Sequence, residues 1–178
     1  MKPGEAVITS VMAWDHVATS AFTILVIVAT VIFTRGYWPF WSLYEARWFA
    51  SLDRNEKARV RAALAGESTK LDLSSSRMTH IPEGVFSTLT VLTTLNMDGC
   101  ESLTALPESL GQLRALTTLY LSNCRSVTAL PESLGQLRAL RTLSLGYCTS
   151  LTALPESLGH LRALTKLYLR RCTSLTAL

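Results

Sequence analysis

The feature that most constrains this chain is an internal copy. The segment TALPESLGQLRAL spans Thr104–Leu116, recurs unchanged at Thr128–Leu140, and returns with one change, His160, at Thr152–Leu164. The period is 24 residues, and the four cysteines keep it at Cys100, Cys124, Cys148 and Cys172. Units this short cannot each enclose a core, so each must bury its apolar face against its neighbours, and the array is a solenoid.

Aligned on the period, the units read LTTLNMDGCESLTALPESLGQL from Leu92, LTTLYLSNCRSVTALPESLGQL from Leu116, LRTLSLGYCTSLTALPESLGHL from Leu140 and LTKLYLRRCTSLTAL from Leu164. Leu95, Leu119, Leu143 and Leu167 are each followed two residues later by Met97, Leu121, Leu145 or Leu169, with polar residues between. That alternation predicts a short strand with one buried face, and successive strands should stack into a parallel sheet. Leu106, Leu130 and Leu154, each followed by a proline, then close the coil and start an outer segment.

These motifs resemble the leucine-rich repeat family from residue 67 to the end. The resemblance implies an α/β fold: a solenoid with short parallel strands on its concave face and helical or irregular segments on its convex face. It also implies that each cysteine satisfies the backbone of the bend it occupies. The LPESLGQL pattern is similar to the repeats of plant intracellular immune receptors and of ROCO-type GTPases, for the repeat only. A phosphate-binding GxxxxGK[ST] segment is absent from the sequence.

A divergent first unit begins near Lys70 with LDLSSSRMTHIPEGVF, where Ser76 takes the cysteine's place. Ile81-Pro82 arrives one residue early and PEGVF is one residue longer than PESL, so Leu71 and Leu95 keep the period. Before it, residues 51–66 read as a capping helix, with Asp53 as N-cap, Glu56 completing a capping box and Gly66 as the stop. Its apolar side should cover the first coil. At the other end the sequence reaches Leu178 partway through a coil, as expected of a truncated unit or of an end that meets a partner.

Mean hydropathy is +0.27, high for a soluble chain, and the excess lies near the amino terminus. Between His16 and Arg35 runs VATSAFTILVIVATVIFT, without an ionisable side chain or a polar stripe. We expect residues 17–35 to form a transmembrane helix after a tail at 1–16, because a run apolar all round must be buried in protein or lipid. Residues 36–50 read as an aromatic juxtamembrane segment, with Trp41, Tyr44 and Trp48 on one face of a helix lying along the interface. Arg35, Arg47 and Arg54 follow the run while only Lys2 precedes it, which places the repeats on the cytoplasmic side. A cleaved signal peptide is the rival reading; Glu5 and Asp15 before the run speak against it.

The net charge of +4 divides evenly about Gly66, so neither half is a basic arm for nucleic acid. Cysteines spaced by 24 stand one coil apart in a single column, which is not zinc-site spacing and reads as reduced, buried packing groups. Neither a metal nor another cofactor is expected. His16, His80 and His160 have no nucleophile or paired carboxylate nearby in sequence, so no catalytic residues and no small-molecule substrate are expected. Glu108, Glu132 and Glu156, with Arg114, Arg138 and Arg162, should form acidic and basic columns on the outer face, solvated and partly neutralising one another.

Binding is expected on the concave face, where the units differ while their outer halves are copied. Tyr120, Tyr147 and Tyr168 are the candidate aromatic anchors, Lys166, Arg170 and Arg171 a basic end, and Asp72 and Asp98 an acidic one, with Asn96 a further candidate contact. Drift between duplicated units is the alternative source of those differences. Three functions fit: a membrane-anchored module for a protein partner, a piece of a larger signalling protein of the ROCO or immune-receptor kind, or a secreted or cell-surface receptor fragment.

Overall fold

The structure is a computed structural model and describes residues 43–176. The expected tail and span at residues 1–35 lie outside the described residues. Among those described, no helix is long and apolar enough to cross a membrane.

Two helices open the described chain, α1 at Leu43–Ser51 and α2 at Arg54–Leu64. The capping helix starts at Arg54 rather than Ser51 because Asp53 is extended, with φ −71° and ψ 175°, and its side chain accepts from the Glu56 N–H. Glu56 returns the contact, its carboxylate accepting from the Asp53 N–H at 2.7 Å, so the capping box is complete. At the far end Gly66 takes φ +71°, while Glu67 N–H donates to the Ala62 carbonyl and Gly66 N–H to that of Ala63. This pair of bonds satisfies carbonyls that the last turn would leave without partners.

Helix α1 corrects one expectation. Trp48 does not face a membrane interface: it is 2% exposed and joins a core cluster with Phe49, Leu52, Val60 and Ala63. Helix α1 belongs to the same compact unit as the repeats, and burying an indole against the first coil removes more apolar area from water than an interfacial position would. The side chains of Trp41 and Tyr44 lie outside the described residues.

The repeats supply five strands, β1 (Lys70–Asp72), β2 (Thr94–Asn96), β3 (Thr118–Tyr120), β4 (Thr142–Ser144) and β5 (Lys166–Tyr168), in sequential order in one sheet. Every pairing is parallel with a 24-residue offset, as in Leu71↔Leu95 and Leu119↔Leu143. The shifted Ile81-Pro82 of the first unit is thus absorbed without loss of register. The outer segments are 3-10 turns: η1 (Phe86–Thr88), η2 (Glu108–Gln112), η3 (Glu132–Gln136) and η4 (Glu156–His160). A coil of 24 residues leaves only five for this part, too few for two turns of α-helix.

Leucines from both halves of each coil meet in one continuous core. Leu95, Leu110, Leu119, Leu134 and Leu143 are fully buried, each contributing about 1.5–3 kcal/mol. The stack is close enough to demand glycine. A Cβ on Gly111 or Gly135 would lie 2.5 Å from the carbonyl oxygen of Ser133 or Ser157 on the next coil, whereas one on Gly159 would meet nothing within 4 Å. Strand β5 is exposed at all three residues, with Leu167 39% exposed.

Candidate binding surface

Parallel register turns the period into rows of side chains. Asp72, Asn96, Tyr120, Ser144 and Tyr168 pair in one row, and Lys70, Thr94, Thr118, Thr142 and Lys166 in another. Leu95, Leu119 and Leu143 between them point into the core, so both rows face away from it. Tyr120 is 36% exposed and Tyr168 50%, two coils apart with Ser144 between them, a spacing of roughly 10 Å.

Tyr147 is placed differently from the other two tyrosines. It lies beyond the strand in a row with Ser75, Gly99, Asn123 and Arg171, all of which have φ between 58° and 75°. Glycine and asparagine tolerate this left-handed conformation, but tyrosine and arginine adopt it at a cost of about 1 kcal/mol each. The half-buried Tyr147 ring carries the Arg171 guanidinium 5.4 Å from its centroid. Arg170 and Lys166 are exposed beside it, so the basic end and two of the three tyrosines share one region of the last two coils.

The opposite end is held by its own hydrogen bonds. Asp98 Oδ1 accepts from the Ser122 N–H at 2.6 Å, and Asn96 Oδ1 accepts from the Asp98 N–H at 3.1 Å. Burial pushes the Asp98 carboxyl above the usual carboxylate range, partly offset by its bonds to Ser122. Asp72 moves the other way, held low by the backbone N–H of Ser74. Asp98 and Asn96 therefore present fixed polar atoms, while the basic end presents long side chains.

The cysteine column lies behind this face. Each thiol donates to a carbonyl 27 residues earlier, Cys100 to Leu73, Cys124 to Met97, Cys148 to Leu121 and Cys172 to Leu145, at 3.0–3.2 Å. All four are free thiols. Burial pushes Cys100 and Cys148 up to about 11 and raises Cys124 as well, so the protonated form that can donate is the form present.

A second column went unrecognised in the sequence. The carboxylates of Glu83, Glu108 and Glu132 accept from the Ser109, Ser133 and Ser157 N–H groups of the following coil at 3.0–3.2 Å. The glutamates thus cap the next 3-10 turn instead of neutralising the arginines. The recurring Pro-Glu-Ser was the signal for it, since proline fixes the chain just before a turn whose first N–H groups need acceptors.

Comparison with known proteins agrees with this geometry. A family model described as a leucine-rich repeat region matches residues 70–169, and the chain belongs to the leucine-rich repeat family. An adenylate cyclase from Mycosarcoma maydis is 43% identical over 65 residues, which is 35% of this chain and 3% of that protein. The chain therefore spans a small fraction of this relative. Among solved structures, the leucine-rich repeat domain of the type III effector XopL aligns with a TM-score of 0.54 at 23% identity, over 90% of this chain and 58% of that one. A leucine-rich repeat protein of Leptospira interrogans aligns with a TM-score of 0.48 at 26% identity, over 68% and 38%.

Proposed function

We propose that this chain is a membrane-anchored module that binds a protein partner through the strand face of its repeats, with residues 17–35 as a single span and the repeats in the cytoplasm. Its mechanism is complementarity of shape and charge rather than catalysis. The observation that carries the reading is the contrast between copied outer halves and a varying strand face, where two exposed tyrosines share one row beside Lys166, Arg170 and Arg171. Large aromatic side chains ringed by charge are the usual anchors of protein interfaces.

Two experiments test it. With a tag at each end of the full chain, protease applied to intact membranes from the cytoplasmic side is expected to remove the carboxyl-terminal tag and spare the amino-terminal one. Release of the protein by alkali would overturn the anchor. For the binding face, Tyr120→Ala, Tyr147→Ala and Tyr168→Ala combined are expected to weaken a captured partner by about 2 kcal/mol or more. Unchanged affinity would remove the strand face from the proposal.

A second reading makes the repeats the sensor of a larger signalling protein, such as a ROCO-type GTPase or an immune-receptor-like protein. It draws support from the adenylate cyclase of Mycosarcoma maydis, of which the 65 matched residues make up 3%. Coding sequence that continues past Leu178 into a catalytic domain would favour it.

A further inference from the structure

On the convex side a groove of about 1070 Å³ runs across three coils, lined by Arg114, Arg138 and Arg162 together with Gln136, His160 and Glu132. The arginines recur at the same place in each coil and all three are exposed. The two ion pairs among the described residues are Arg59–Asp72 and Arg125–Glu101, so none of the three has a carboxylate partner. Glu132, the one acidic lining residue, spends its carboxylate on the Ser157 N–H at 3.2 Å. Glu108 and Glu132 of the column expected to neutralise these arginines hold the Ser133 and Ser157 N–H groups instead, and three guanidinium groups stand in line against one carboxylate, with no ion pair to any of them among the described residues.

We propose that this groove binds an acidic, extended peptide segment of a partner protein, on the face opposite the strand rows. Coils stacked about 4.8 Å apart spread the three arginines over roughly 10 Å, and an extended chain sets alternate side chains about 6.7 Å apart, so two or three carboxylates meet the line. Guanidinium forks pair with carboxylates in bidentate geometry, which favours this ligand over a diffuse anionic atmosphere. The recess also fits a chain better than a flat membrane surface.

The test uses the full chain in detergent and a fluorescein-labelled peptide of alternating glutamate and serine, read by anisotropy at low salt. Binding is expected to fall at least about tenfold in the combined variant Arg114→Gln, Arg138→Gln, Arg162→Gln, and to fall much less in Lys166→Gln, Arg170→Gln, Arg171→Gln. Because all six side chains are exposed, the melting temperature should hold in both variants, which keeps loss of binding distinct from loss of fold. Equal binding by wild type and the arginine variant would overturn the proposal, as would loss confined to the second variant. If the peptide fails to bind while soluble inositol trisphosphate binds in an arginine-dependent way, the occupant is a lipid headgroup and the peptide proposal falls.

Discussion

At the residue scale the cysteine column makes the sharpest demand. A thiol held near 11 by burial favours its neutral form in the fold, so the stability it contributes is complete below the unfolded value of 9.0 and is lost as pH rises toward 11. Denaturant titrations are therefore expected to show a steep alkaline decline across that window, and alkylation at neutral pH should mark Cys172 well before Cys124. Equal labelling of the four thiols would contradict the burial argument. Asp98 offers the opposite sign from Asp72. Its carboxyl is raised by burial, so its ionisation at pH 7 costs stability, and Asp98→Asn is expected to raise the melting temperature at pH 7 but not at pH 3. The cysteine positions were legible in the sequence, since a period is visible without coordinates. Their bonds to carbonyls 27 residues earlier were not, because a donor's partner depends on how one coil settles on the last.

At the element scale the repeats stand or fall by how closely the outer turns approach. Gly111→Ala and Gly135→Ala each press a Cβ onto the next coil's backbone and are expected to destabilise the array by about 1–3 kcal/mol in chemical denaturation. Gly159→Ala meets open space and is expected to change stability by less than about 0.5 kcal/mol. Similar losses at all three would refute the stacking. The capping box on α2 gives a separate check, with Asp53→Ala expected to cost about 1 kcal/mol. That helix was legible because caps are local chemistry. Helix α1 was misread, because Trp48 carries the same aromatic signature whether its ring meets lipid headgroups or the first coil, and only packing decides between them. The glutamate caps were missed for a related reason: Glu108 and Arg114 look like a charge pair in sequence, yet the Glu108 carboxylate accepts from the backbone N–H of Ser133 on the next coil.

At the scale of the whole molecule the period determined the solenoid, the parallel order and the register, since one offset of 24 residues satisfies every strand pair. The two faces were less legible. Tyr120 and Tyr168 lie in the expected row, but Tyr147 sits past the strand in a strained conformation with Arg171 over its ring, because strands of three residues end before it. A benzophenone side chain placed at position 120, 144 or 168, and at the exposed Ala129 as a control outside both proposed faces, reads the strand face directly in cells expressing the full chain. One and the same protein adduct from positions 120, 144 and 168, absent from position 129, is the expected result. Adducts that form equally from all four positions, or from position 129 alone, would contradict binding through the strand face.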